Sequence, residues 1–89
     1  MNPVEELKVI MLNQPDKLVI GSRRTLKYLK LGKLAKIFMA KNAPEDIKSD
    51  IEYYAKLSNV EVVNLSLDNE ELGAALKKPF KVAVVSLLK

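Results

Sequence analysis

The segment Leu18-Val19-Ile20-Gly21-Ser22-Arg23-Arg24 decides the fold, because a short apolar run ends within it and the start of a helix follows. The run 18–20 is predicted to be a buried strand. Gly21 ends that strand, Ser22 is able to cap the helix that follows, and Gly32 is typical of a helix C-terminus. A strand that leads directly into a helix of about three turns is the repeating unit of an α/β protein.

The same alternation of helix and strand continues on both sides of this segment. Asn2 and Pro3 predict a capped helix start, and the spacing of apolar residues after them is helical. The predicted order is helix 3–13, strand 18–20, helix 22–32, strand 35–40, a helix opened by 42–44 and ended by 58–59, strand 60–63, a helix capped by Asp68 or Asn69 that runs to about Leu76, and strand 82–88.

This order predicts one domain over residues 1–89, built as a three-layer α/β/α sandwich. Four strands form a mixed sheet, and helices cover both of its faces. The last strand, VAVVSLL at 82–88, is apolar apart from Ser86 and is predicted to be central and buried. Its direction relative to its neighbours is left open by the sequence.

Composition argues against catalysis. The chain has no Cys and no His, so it lacks thiolate ligands, disulfides and the commonest general base. Asp46 and Asp50 are one helical turn apart and could hold a weak cation, but acids near a helix start also complement its dipole. We therefore expect no enzyme activity, no cofactor and no metal site. The absence of a leader-like or membrane-length apolar run predicts a cytoplasmic location.

Charge is segregated along the chain, although the net charge is only +4. Residues 42–76 carry most of the acids, and the last thirteen residues contain four Lys and no acid. Residues 17–41 likewise contain no acid and eight basic residues: Lys17, Arg23, Arg24, Lys27, Lys30, Lys33, Lys36 and Lys41. Like charges that cluster repel one another, and a polyanionic partner is the usual compensation.

The first candidate site is the strand-to-helix junction Gly21, Ser22, Arg23 and Arg24, with Lys27 one turn later. A helix N-terminus offers free N–H groups to phosphate, and Arg adds bidentate donors. The alternative is an ordinary turn with solvated side chains. The segment is not a nucleotide-triphosphate loop, because the second Gly and the Lys-Ser/Thr pair of that motif are missing.

The second candidate is the loop Lys77, Lys78, Pro79, Phe80 and Lys81. Cations that surround an aromatic residue suit RNA, because phosphates bind the ammonium groups and an unstacked base lies on the ring. The alternative is that Phe80 begins the last strand and packs in the core.

Asn42, which follows Lys41 after the second strand, is the third candidate. Its amide could read a base edge, or it could cap the third helix, which is the commoner role of Asn at such a position.

The chain resembles the L30e family of large-subunit ribosomal proteins of archaea and eukaryotes, within the kink-turn RNA-binding superfamily that includes L7Ae. The resemblance covers almost the whole chain. The segments that carry it are GSRRT at 21–25, KLGK at 30–33, AKNAP at 40–44, DIEYYAKLS at 50–58, ELG at 71–73 and KPFKV at 78–82.

The resemblance implies binding of a kink-turn or similar internal loop in ribosomal RNA, without catalysis. It implies a protein that is monomeric when free and that neighbours other ribosomal proteins in the particle, away from any membrane. The alternatives are a kink-turn adaptor of a smaller ribonucleoprotein and a protein–protein interaction module. The implied RNA contacts are Gly21, Ser22, Arg23, Arg24, Lys27, Asn42, Asn69, Lys77, Lys78, Pro79 and Phe80.

Two positions depart from the family pattern. Many relatives have Gly just before Asn69, where this chain has Leu67 and Asp68, and many have Gly at the position of Lys77. Because Lys disfavours positive φ, we expect the loop after the fourth helix to take another shape, with Lys77 adding a phosphate contact.

Overall fold

Helices and strands alternate along residues 2–89, which are the residues that the computed structural model describes. A short 3-10 turn, Pro15–Lys17, follows the first helix. The elements are α1 Pro3–Asn13, β1 Leu18–Ile20, α2 Ser22–Lys30, β2 Leu34–Met39, α3 Glu45–Ser58, β3 Glu61–Asn64, α4 Asn69–Ala75 and β4 Val84–Leu88. The predicted alternation is confirmed, with several boundaries shifted by one or two residues.

The four strands form one mixed sheet in the order β1-β4-β2-β3. β4 lies antiparallel to both β1 and β2, and β2 runs parallel to β3. The predicted central position of the last strand is confirmed, and its direction is now settled. Because β4 runs against the other three strands, its start lies at the same edge of the sheet as their ends. We call this edge the rim, formed by residues 21, 40–42, 65–67 and 80–83.

Apolar side chains cover both faces of the sheet, as the three-layer prediction requires. Alternate residues of β4 serve the two faces, with Val85 packed under α1 and α4 and Val84 under α2 and α3. Leu7 and Leu72 fill the first layer, and Leu29 and Ile51 fill the second. Each such side chain stabilises the fold by roughly 1.5–3 kcal/mol when fully buried.

A buried hydroxyl pair fixes α2 on the sheet. Thr25 and Ser86 are both fully buried, and their side-chain oxygens lie 2.9 Å apart. Each hydroxyl satisfies the other, which removes the penalty of roughly 1–3 kcal/mol for a buried polar group without a partner. Since Ser86 is in β4, an interior strand of the sheet, the pair holds α2 against the sheet at Thr25.

Two helices carry the N-terminal caps that their sequences predict. The Asn2 side chain accepts a hydrogen bond from the Glu5 N–H at 2.9 Å. Of the two candidate caps of α4, Asp68 is the one used, and it forms a reciprocal capping box with Glu71. Caps of this kind contribute about 1 kcal/mol each.

Three helices end on a residue with positive φ: Gly32 after α2, Asn59 after α3 and Lys77 after α4. After α4, the Lys77 N–H donates to the Ala74 carbonyl and the Lys78 N–H to the Gly73 carbonyl, which is the Schellman arrangement. The expectation that Lys would change this turn is therefore wrong. The capping hydrogen bonds hold Lys77 at φ 59°, in a conformation that costs a non-Gly residue roughly 1–2 kcal/mol.

Gly73 is where the chain returns over α4 on its way to β4. A Cβ atom at this position would overlap the carbonyl oxygen of Phe80. The absence of a side chain at Gly73 therefore lets the loop before β4 lie directly on α4. This contact fixes the position of the Phe80 backbone.

We expect Gly73→Ala to destabilise the protein by about 2 kcal/mol, although the same change in an open helix stabilises by about 1 kcal/mol. The reason is that the added methyl group must displace the Phe80 backbone. Urea unfolding measures the change. Ala74→Gly, one position along on an exposed part of α4, is the control and should cost only the helix-propensity difference of about 1 kcal/mol. A Gly73→Ala variant as stable as the parent would contradict the close approach.

Candidate nucleic-acid interface

Backbone hydrogen bonds join the segments that form the rim. The Gly21 N–H donates to the Val84 carbonyl at 2.9 Å, and the Ala40 N–H donates to the Ala83 carbonyl at 2.8 Å. The Val82 N–H donates to the Asn69 carbonyl at 3.0 Å, which ties the loop before β4 to the start of α4. The rim is thus a bonded surface rather than a set of independent loops.

A cleft of about 460 Å³ opens at the rim between the two predicted basic segments. It brings the Gly21 turn and the Phe80 loop to opposite walls of one depression, although they are about sixty residues apart in the sequence. Its lining residues are Ile20, Gly21, Ser22, Arg24, Lys78, Phe80, Lys81, Val82 and Ala83. Three of these are cations and none is an acid, so the cleft is a positively charged site.

The N-terminus of α2 opens onto this cleft without a side-chain cap. Gly21 is the residue before the helix, with φ 109° and ψ 149°, and Ser22 is the first helical residue. The prediction that Ser22 caps α2 is therefore wrong, because Ser22 lies inside the first turn. A helix start without a side-chain cap leaves N–H groups and the positive end of the helix dipole available to an anion.

Phe80 is 56% exposed and lies before β4 rather than in it. The interpretation of Phe80 as a core residue is wrong, since Gly73 holds the Phe80 backbone against α4 and the ring is left on the surface. Phe80 lines the cleft together with Lys78 and Lys81. An exposed aromatic ring among cations is suited to a stacked base.

Asn42 and Asn69 form an amide pair at the rim. The Asn69 N–H donates to Asn42 Oδ1 at 2.8 Å, and Asn42 Nδ2 donates to Asn69 Oδ1 at 3.1 Å. Asn42 does not cap α3, where Pro44 occupies the cap position without a side-chain bond. Its side chain instead meets a free N–H of the first turn of α4, a contact across 27 residues that a local motif does not reveal.

The orientation of the two amides determines which hydrogen-bonding groups they offer to a ligand. Because the backbone N–H of Asn69 needs an acceptor, Asn42 Oδ1 must face it, and the orientation of both amides follows. Both amide oxygens then accept internal hydrogen bonds. The pair therefore presents mainly N–H donors to an incoming ligand.

The remaining predicted residues lie outside the cleft. Arg23 and Lys27 are exposed on α2 but do not line it. Pro79 lines a second depression, which Lys78, Phe80 and Lys81 share with Glu70. Lys77 faces a separate groove between α1 and α4. Some of the predicted RNA-binding residues therefore line the cleft, and the others lie on the surface around it.

Three cations of the basic segment 17–41 have partners within the protein: Lys27, Lys30 and Lys36. Lys36 Nζ lies 2.6 Å from Glu6 Oε1 and 3.7 Å from Glu61 Oε1. The hydrogen bond with Glu6 raises the pKa of the Lys36 ammonium above its usual value. Lys30 Nζ lies 4.8 Å from the centre of the Tyr54 ring, a cation–π distance. Lys27 Nζ lies 5.9 Å from the centre of the Tyr28 ring. Of these three cations, Lys36 is the one whose charge is paired with acids.

Residues 2–89 show neither a metal-binding cluster nor a membrane-spanning helix. That part of the chain contains no group of three or more Asp or Glu side chains placed to hold a metal ion. None of its helices is long and apolar enough to cross a membrane.

The class of protein defined by this fold is an α/β/α sandwich with a cationic rim. A Bacillus halodurans protein of unknown function shares the fold with a TM-score of 0.81 and 17% identity, over 93% of this chain and 83% of that one. The Giardia lamblia 15.5kD RNA binding protein shares it with a TM-score of 0.79 and 21% identity, over 100% of this chain and 78% of that one.

The chain belongs to the Ribosomal protein L7Ae/L30e/S12e/Gadd45 family, whose pattern matches residues 6–89. It is 43% identical over 72 residues to the large ribosomal subunit protein eL30 of Methanocaldococcus jannaschii, which is 81% of this chain and 66% of the relative. It is 49% identical over 67 residues to eL30 of Methanothermobacter thermautotrophicus, 75% of this chain and 68% of the relative. The chain thus spans about two thirds of these two proteins. The resemblance found in the sequence is confirmed.

We expect Asn42→Ala to destabilise the protein by about 1 kcal/mol, because the Asn69 N–H loses its acceptor. Asn42→Asp is the matched variant: it keeps an acceptor for that N–H and should change stability by less than about half as much. Urea unfolding of both variants measures the difference. Equal stability of the Ala and Asp variants would show that the hydrogen bond contributes nothing.

Proposed function

We propose that this protein binds ribosomal RNA as a structural component of the large ribosomal subunit, and that its rim recognises a kink-turn or a similar bent internal loop. The observation that carries the proposal is the cleft. The Gly21 turn and the Phe80 loop both line it, and three of its lining residues are cations. Membership in a family with relatives named as large-subunit ribosomal proteins supports the ribosomal role. It also supports the prediction that the protein is not an enzyme.

Arg24, Lys78 and Lys81 are the residues that we assign to phosphates in the cleft. They lie on two walls, so a backbone that bends sharply is able to contact both walls at once. The N–H groups at the start of α2 add a further anion site between them. Arg23 and Lys27, which lie outside the cleft on α2, would contact phosphates of a flanking stem.

Base recognition is assigned to Phe80 and to the amide pair of Asn42 and Asn69. A base that leaves the helical stack in a bent loop is able to lie on the exposed Phe80 ring. Because the amide pair presents mainly donors, it suits a base edge with two acceptors, such as O6 and N7 of guanine.

The same proposal covers location and assembly. A large-subunit protein associates with the ribosome in the cytoplasm and contacts ribosomal RNA and neighbouring ribosomal proteins. We propose that the free protein is a monomer, since the cleft is built from a single chain and needs no second copy to complete it.

Affinity for a kink-turn RNA should fall steeply with salt. The three cleft cations together with Arg23 and Lys27 predict a slope of about −3.5 to −4.5 in a plot of log affinity against log salt, because each phosphate contact adds about 0.7–0.9. Arg24→Gln should make the slope shallower by about 0.7–0.9, whereas Lys33→Gln, at the opposite end of the sheet, should leave it unchanged. Titrations at several salt concentrations measure the slope. A slope near zero, or an equal effect of the two variants, would remove the electrostatic assignment.

Phe80→Ala should weaken RNA binding by about 1–3 kcal/mol through the loss of a stacking surface. Since the ring is exposed, the stability of the fold should change little. Tyr53→Ala provides the matched control, because Tyr53 is an exposed aromatic on α3 that lies away from the rim. Fluorescence titration with a labelled kink-turn RNA makes the comparison. If the Phe80 variant binds as tightly as the Tyr53 variant, Phe80 has no role in stacking.

A further inference from the structure

A second groove, separate from the rim cleft, runs between the C-terminal halves of α1 and α4. It has a volume of about 360 Å³, and its apolar lining consists of Met11, Leu12, Ala74 and Ala75. Leu12 is 75% exposed, the largest exposed fraction among the large apolar side chains of residues 2–89. Val9, one turn earlier on α1, is also exposed. Apolar surface gathered in a concave place is typical of a site for another molecule.

The charges at the edges of this groove have a single sign. Lys8 on α1 and Lys77 at the end of α4 complete its lining, and no acid is found there. Lys77 is held in place by the Schellman turn at φ 59°, although Gly is the residue that adopts this conformation without strain. The groove therefore combines an apolar lining with two cations, one contributed by each helix.

We propose that this groove is a docking site for an acidic amphipathic helix of a partner protein. The apolar side chains of that helix would cover Leu12 and Met11, and its carboxylates would pair with Lys8 and Lys77. The small side chains of Ala74 and Ala75 let a helix backbone approach closely. The combination corresponds to helix-in-groove recognition, with charge complementarity setting the choice of partner.

The chemistry of the lining favours a protein over RNA. The lining contains no aromatic ring for a base and no amide for a base edge, in contrast to the rim. It shares no residue with the rim cleft, so the two sites are able to be occupied together. The proposal is therefore independent of RNA recognition at the rim.

The probe for this site is a fluorescent, capped helical peptide of about 16 residues with a Leu stripe flanked by Glu. We expect fluorescence anisotropy to show binding to the full chain, and Leu12→Asp to weaken it about tenfold. Lys77→Gly removes the charge but suits the turn, and should weaken binding about threefold. Leu57→Asp, at a similarly exposed Leu on α3, is the control and should leave the peptide affinity unchanged.

Three results would overturn the proposal. The first is that a peptide with Lys in place of Glu binds as tightly as the acidic one. The second is that Leu12→Asp and Leu57→Asp have the same effect. The third is that a kink-turn RNA displaces the peptide and that Leu12→Asp weakens the RNA itself, which would assign the groove to the RNA surface. Peptide binding that survives in a Phe80→Ala variant supports the groove whatever the outcome of the RNA experiments.

Discussion

The antiparallel placement of β4 between β1 and β2 is the constraint on which the rest of the structure depends. If β4 ran parallel to its neighbours, the loop before it would lie at the opposite edge of the sheet from Gly21. Its direction instead brings the last basic loop of the chain to the point where the first strand ends. The hydrogen bond from Gly21 to Val84 and the contact of Gly73 with the Phe80 backbone then fix the loop at that edge.

Cations in this protein have two separate roles, which differ in whether the fold places an acid beside them. Lys36 extends from the sheet to Glu6 of α1, where its charge links the strand to the helix. Such a partly exposed ion pair contributes at most about 1 kcal/mol to stability. Arg24, Lys78 and Lys81 have no acid beside them in the cleft lining. A cluster of this kind lowers the stability of the free protein through repulsion, which a polyanion relieves on binding.

Local patterns predicted the elements, because periodicity, caps and breakers act within a few residues. The Asn2 cap, the Gly32 terminus and a cap of α4 at Asp68 or Asn69 are all predictable in this way. The direction of the last strand and the choice between an exposed and a buried Phe80 stay open at that level, since both depend on contacts between distant segments. The Thr25–Ser86 pair spans 61 residues and the Asn42–Asn69 pair spans 27. Both pairs use side chains that have ordinary local roles, so neither pair carries a signal that a single sequence reveals.

Three departures from local rules lie at the candidate sites, whereas two others, the uncapped start of α3 and Asn59 at φ 56°, lie at neither site. The start of α2 lacks a side-chain cap, Lys77 takes a conformation that suits Gly, and Phe80 remains exposed rather than buried. Each feature is unfavourable or neutral for the isolated fold and each lies at a concave, cationic surface. Natural proteins tolerate such departures where another molecule supplies the missing interaction. A departure that coincides with a concave, cationic surface is therefore what points to the rim and to the groove beside Leu12.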